Sequence, residues 1–192
     1  MNQDLLDFLS GFPRLSPEEV EMIARHIPVK SFSKGYMLLE TGKIPSECYY
    51  LLKGCIREYK IIDGLEKTTA FYTEKNGTIS PVSYVHQTPS AHFLVCMEDC
   101  LVISGNREQD KSNYENFPVL KGITANMLES EWIKTKENFT DFITSSPEQR
   151  YLNFIEKHGD LFQRVPQHQI ASYLGMTPES LSRIRKRVLL KS

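Results

Sequence analysis

Glu179, Arg183 and Lys186 stand four and three residues apart near the end of the 192-residue sequence, a spacing that places all three on one face of a helix. A carboxylate and a guanidinium on such a face have the chemistry to read base edges. Arginine forms a two-pronged pair with guanine O6 and N7, and glutamate accepts from the cytosine amino group. Ser180, on the same turn as Glu179, joins this expected base-reading set. Arg185, Lys186 and Arg187 form a basic run suited to phosphates, where charge adds affinity without sequence information.

The flanking residues predict the elements that would hold these side chains. Ile170, Ala171 and Leu174 share one face of a short helix that ends at Gly175, a residue that adopts the left-handed conformation at little cost. Ala171 is small where two helices cross closely. Thr177 is placed to cap a second helix, with Pro178 at its first position and Glu179 at its positive end. Leu181, Ile184 and Val188 give that helix its buried stripe. An amphipathic helix pair of this kind also serves for docking to protein. The basic second helix favours DNA.

The charge of the chain is uneven in the same sense. From Ser146 onward there are eight basic residues (Arg150, Lys157, Arg164, Arg183, Arg185, Lys186, Arg187, Lys191) against four acids (Glu148, Glu156, Asp160, Glu179), whereas the preceding 145 residues hold 15 of the 23 basic and 20 of the 24 acidic residues. A basic segment on an acidic body points to a polyanionic partner for that segment. With 40% hydrophobic and 24% charged residues the composition is that of a soluble globular protein. The start has no signal-peptide pattern, no stretch is apolar for a bilayer's width, and a cytoplasmic location with no membrane partner is expected. Cys48, Cys55, Cys96 and Cys100 lie in apolar strand-like stretches and read as packed free thiols. The five histidines show no His-x-His pair, which argues against a metal enzyme on a β-barrel. No catalytic residue, metal or cofactor is expected, and His86 and His92 read as structural rather than haem ligands.

Upstream, residues 4–27 show helical spacing, with Ser16-Pro17-Glu18-Glu19 as a helix start. From Val29 to about Gly105 short alternating strands are broken by Gly and Pro, and Asp63-Gly64 is the clearest hairpin turn. Strands so short and so spaced predict a sandwich or barrel. Pro118 to Thr144 reads as one long helix whose apolar residues Leu120, Ile123, Met127, Leu128 and Trp132 seek a partner. A symmetry mate is the expected one; an intramolecular cover for the barrel is the alternative. Ser145-Ser146-Pro147-Glu148 marks a fresh helix start. The expected fold is α+β, with a sensor domain over 1–116, a dimerisation helix over 117–145 and a DNA-binding domain over 146–192.

The C-terminal run resembles the helix-turn-helix of the Crp/Fnr family, Ile-Ala-x-x-Leu-Gly followed by Glu-x-x-Ser-Arg, here Ile170 to Gly175 and Glu179 to Arg183. The resemblance implies base contacts from Glu179 and Arg183, and phosphate contacts from Gln167 and Thr177. It extends upstream through Phe32-Ser33-Lys34-Gly35, Leu38 to Gly42 and Tyr49 to Gly54, which are similar to the first half of a cyclic-nucleotide-binding jelly roll (a double-stranded β-helix). Double-stranded DNA, a homodimer and a near-palindromic operator are then expected, and the family allows RNA polymerase and a small-molecule effector as further partners. Two departures stand out. Where the family's cassette carries Gly-Glu and Arg-Ser, this chain has Ile79-Ser80-Pro81-Val82-Ser83 and Pro89-Ser90-Ala91, so the expected pocket (Ser80, Pro81, Val82, Ser83, Pro89, Ser90) lacks its cationic fork. Only Val188 to Ser192 follow the basic run, so no full β-hairpin wing is expected. No Cys precedes Cys48 to form the family's N-terminal iron–sulfur ligand set. The rival reading is a jelly-roll ligand-sensing module that signals through protein contacts.

Overall fold

In a computed structural model, which describes residues 2–74, 77–79 and 82–190, Asp63 and Gly64 both take positive φ, 53° and 75°, as a two-residue hairpin turn demands. Its arms belong to a set of eight strands: β1 (Val29–Phe32), β2 (Met37–Leu39), β3 (Cys48–Lys53), β4 (Ile56–Ile62), β5 (Leu65–Tyr72), β6 (Thr78–Ile79), β7 (Phe93–Cys96) and β8 (Cys100–Gly105). They pair antiparallel in two four-stranded sheets, ordered β1-β8-β3-β6 and β2-β7-β4-β5. Leu39, Leu51, Ile56, Ile79, Leu94, Cys96, Cys100 and Val102 close the space between the sheets. This is the jelly-roll sandwich expected. The four cysteines are free, three of them buried.

Nine helices surround the sandwich among the described residues: α1 (Gln3–Ser10), α2 (Pro17–His26), α3 (Val82–His86), α4 (Arg107–Asn116), α5 (Val119–Thr144), α6 (Pro147–His158), α7 (Leu161–Arg164), α8 (Gln167–Tyr173) and α9 (Pro178–Leu189). A capping box starts α2: Ser16 Oγ accepts from Glu19 N at 3.2 Å, and Glu19 Oε2 accepts from Ser16 N at 2.9 Å. Strand alternation turns Tyr49 and Leu51 inward and Leu52 outward, where Leu52 joins Leu5, Leu9, Val20, Ile23, Leu120 and Ile123 in a second core under α1 and α2.

At 1.5 Å per residue the 26 residues of α5 run about 39 Å. Its first turns are anchored in that second core. Beyond Met127 it is exposed, with Leu128, Trp132, Ile133, Phe139, Phe142 and Ile143 all more than a third accessible. Leu120, Ile123 and Met127 are therefore spent on the N-terminal helices, so the intramolecular cover holds for the first turns only. The exposed seam is Ala125, Leu128, Trp132, Thr135, Phe139 and Phe142, alternating by three and four residues, the spacing of a coiled-coil stripe. Among the described residues no helix is long and apolar enough to cross a membrane.

The chain after Ser146 folds as α6 to α9 around Tyr151, Phe154, Leu161, Val165, Ile170, Ala171, Leu174, Leu181 and Ile184. Cys55 and Phe71 of the sandwich complete the same cluster. The helices after Ser146 and the sandwich therefore share buried side chains.

Candidate nucleic-acid interface

Ile170 and Leu181 are fully buried, and each contributes about 1.5–3 kcal/mol to holding α8 against α9. The turn between them needs Gly175. Its φ is +69°, and a Cβ there would stand 3.0 Å from Phe142 Cζ and 3.3 Å from Arg150 Nη1, so a side chain would be both strained and crowded. Arg150 fixes the same turn. Its Nε donates to the Phe142 carbonyl at 2.9 Å, Nη1 reaches the Leu174 carbonyl at 3.4 Å, and the guanidinium sits 4.0 Å over the Phe142 ring. Thr177 caps α9 by accepting from Ser180 N at 3.2 Å, with Pro178 in the first turn.

With Leu181, Ile184 and Val188 turned inward, helical geometry places Glu179, Ser182, Arg183 and Lys186 on the opposite, solvent-facing side; all four are exposed. Ser180 lies at the edge of that face, half-buried. Hydrogen bonds from its own backbone and from Thr177 hold the Glu179 carboxyl below its usual 4.5, helped by Arg183. It is therefore an anion that accepts and does not donate. Arg183 and Lys186 form no salt bridge among the described residues. Arg185 and Arg187 flank the inward stripe, Arg185 lying 5.4 Å over the Phe162 ring and Arg187 pairing with Glu148 at 3.0 Å. Gln167, at the start of α8, and Thr177 are exposed on either side of the turn. The arrangement presents one carboxylate and two cations on one exposed face, with further donors at its edges.

The other face of α8 docks on the sandwich. Ser172 Oγ accepts from Thr68 N at 3.0 Å and donates to the Glu66 carbonyl at 3.3 Å. Arg164, at the end of α7, carries the rest of the contact. It donates to Glu98, to Glu74, to Asp160 and, at 2.7 Å, to the Gly54 carbonyl. Nothing in the spacing of the sequence marks Arg164 for this role. Its pairing with acids 66 and 90 residues away is visible only in the fold.

Ser80 and Pro81 of the expected effector pocket lie outside the described residues. Val82 is 72% accessible and Pro89 is exposed, so neither lines an enclosed site. Ser83 is buried with its hydroxyl unpaired, while Ser90 is buried with its hydroxyl bonded to His92 of its own loop at 3.0 Å. Between the sheets the sequence reading missed Glu58. It follows Ile56 on the inward side of β4, and its carboxylate accepts from Thr69 Oγ1 at 2.7 Å and Tyr72 Oη at 3.2 Å. His92 Nε2 stands 3.8 Å away. Burial pushes the His92 imidazole below 6.5, against the pull of Glu58 and with the repulsion of Lys60, so His92 is neutral at neutral pH and offers Glu58 no positive charge. Among the described residues no group of three or more His, Cys, Asp or Glu is placed to hold a metal.

No family model matches the chain, and no curated protein matches it. Solved structures do. FixK2 from Bradyrhizobium japonicum superposes with a TM-score of 0.69 at 16% identity, covering 86% of this chain and 85% of that one. The c-di-GMP-responsive global regulator CLP of Xanthomonas campestris gives 0.67 at 12% identity, covering 90% and 91%. The Thermus thermophilus catabolite activator protein gives 0.53 at 19% identity, covering 94% and 86%. The chain has the fold of the Crp/Fnr regulators.

Proposed function

We propose that the protein is a sequence-specific DNA-binding transcription regulator of the Crp/Fnr type, without enzymatic activity, that binds near-palindromic operators as a homodimer. The observation that carries this reading is α9, a capped helix that follows a tight turn and shows Glu179, Ser182, Arg183 and Lys186 to solvent while its apolar side is buried. Two proteins that share the fold, a catabolite activator protein and a global regulator, agree with it. The homodimer rests on the apolar seam of α5, where Leu128, Trp132 and Phe139 are about half-exposed or more in the single chain and only Phe142, at the far end, is partly covered by Arg150. Two-fold symmetry then sets the operator's symmetry and a half-site spacing of about one helical turn. The pocket between the sheets is degenerate, either ligand-free or taking an effector other than cyclic AMP: among the described residues a phosphate there would meet the Glu58 carboxylate and no facing guanidinium.

Selection from a random-sequence duplex library, read out by sequencing and then by fluorescence anisotropy, tests the proposal. A symmetric motif, bound with an affinity that falls steeply with salt, is expected. Recovery of no motif, or binding indifferent to salt, would favour a sensing module that signals through protein contacts.

A further inference from the structure

A cleft of about 330 Å³ opens between α1, the loop after it and α5, lined by Phe8, Phe12, Arg14, Tyr50, Met127 and Lys134 among others. It lies on the outer face of the sheet, because Tyr49 and Leu51 point into the sandwich and Tyr50 points away from it. It is thus separate from the space around Glu58, and its size falls at the lower end of small-molecule sites. One wall is aromatic: Phe8 meets Tyr50 at 4.4 Å between ring centres with a 35° tilt, and Phe12 edge-on at 5.1 Å. The opposite wall is a single face of α5, where Ile123, Asn126, Met127, Ser130, Glu131 and Lys134 recur by three and four residues.

The charges leave a surplus of one cation. Lys134 and Glu131 neutralise each other at 3.1 Å. Arg14 is exposed and makes no hydrogen bond or ion pair among the described residues. Its guanidinium lies beside Gly122 of α5, 3.9 Å from where a Cβ would stand. Burial, then the nearness of Glu131, pushes the Tyr50 phenol up, which keeps it a hydrogen-bond donor at neutral pH.

We propose that this cleft binds a small planar monoanion, with its apolar body against Phe8, Phe12, Tyr50 and Met127 and its carboxylate on Arg14. Such a ligand ties the N-terminal helices to the face of α5 from Ile123 to Lys134, within one helix of the reading head. Only this coupling to DNA rests on the function proposed above; the binding itself does not.

Calorimetry on the whole chain with benzoate, phenylacetate and 2-naphthoate, each beside its neutral primary amide, tests the site. At least one carboxylate is expected to bind about tenfold more tightly than its amide, and Arg14→Gln should abolish the preference while Lys121→Gln leaves it intact. Asn126→Trp, at an exposed position on the wall of the cleft, should block binding without challenging the fold. Absence of saturable binding by all three acids, equal binding of acid and amide, or binding that survives both Arg14→Gln and Asn126→Trp would overturn the proposal. A protein that binds a carboxylate here but no duplex would overturn the regulator reading and leave the cleft standing. The reverse result would do the opposite.

Discussion

Arg164 donates through Nε to Glu98 Oε1 at 3.1 Å, joining residues 66 positions apart and fixing the helices that carry the proposed reading face to the outside of the sandwich. Arg164 is four-fifths buried and Glu98 one-third accessible, so screening is incomplete. Removing the guanidinium also leaves Glu74 with backbone donors, Gly54 N among them, but without its cation. Arg164→Met should therefore lower stability by about 1–3 kcal/mol, at the weak end of a broken buried pair, measured by urea denaturation.

Acid should weaken the other arm of this contact, Arg164 with Glu74. Burial alone would raise the Glu74 carboxyl, but its own backbone, Gly54 N and Arg164 outweigh it and hold it below 4.5. A carboxyl lowered on folding contributes stability that is fully present above its unfolded value and is lost as pH falls through the folded one. The stability difference between the wild type and Glu74→Gln should thus be constant from neutrality to about pH 5 and close below that. A difference that grew on acidification would contradict the assignment.

Leu128→Glu and Trp132→Glu should dissociate the homodimer, because each puts a carboxylate into the apolar seam of α5. Both side chains are about half-exposed or more in the single chain, so neither substitution should unfold it. Sedimentation equilibrium should show weakening by roughly 2 kcal/mol or more per dimer. Met127→Glu should act differently, lowering the stability of the chain itself, since Met127 packs on α1 and α2. A wild-type chain that stayed monomeric at micromolar concentration would remove the basis for the seam.

Cyclic AMP should give no binding heat at any concentration at which it changes operator affinity in its responders. Glu58 opposes its phosphate, and the residues aligned with the family's clamp supply no arginine. Micromolar affinity, with a matching rise in operator affinity, would defeat this expectation. Glu58→Gln should leave the result unchanged, because removing a repulsion does not supply a guanidinium.

The sandwich, the long helix and the helix pair were all legible in the sequence because each rests on a local period or turn: Asp63-Gly64, the stripe of α5, Gly175 and the Thr177 cap. What was not legible is which neighbour covers a given face. Periodicity placed Leu120, Ile123 and Leu128 on related angles of one helix, but only the fold shows the first two covered by α1 and α2 and the third left open. The charge count misled for the same reason. Of the eight basic residues after Ser146, Arg150 and Arg164 are spent on backbone carbonyls and acids, Lys157 pairs with Asp141 at 3.0 Å, and Arg187 pairs with Glu148. Arg183 and Lys186, on the outward face of α9, make no salt bridge among the described residues. A net charge of +4 therefore overstates what the surface offers to DNA.

That distinction shapes the expected behaviour of the reading face. Arg183→Ala should cost about 1–3 kcal/mol on the cognate duplex and relax preference at one base pair per half-site, the mark of a two-pronged guanine contact. Lys186→Ala should weaken cognate, mismatched and random duplexes about equally and reduce the salt slope by roughly one unit, as a lost phosphate contact does. Arg187→Ala should show a smaller loss, since Glu148 already competes for its charge. Glu179→Ala is expected to raise affinity for random duplex while discrimination falls, because an ionised carboxylate facing DNA repels phosphate on every sequence and repays that cost only at the right base. Measuring each variant on the three duplexes at two salt concentrations separates these outcomes. If Arg183→Ala weakened all three duplexes alike, Arg183 would be a phosphate contact, and sequence reading would have to be sought at Glu179 and Ser180.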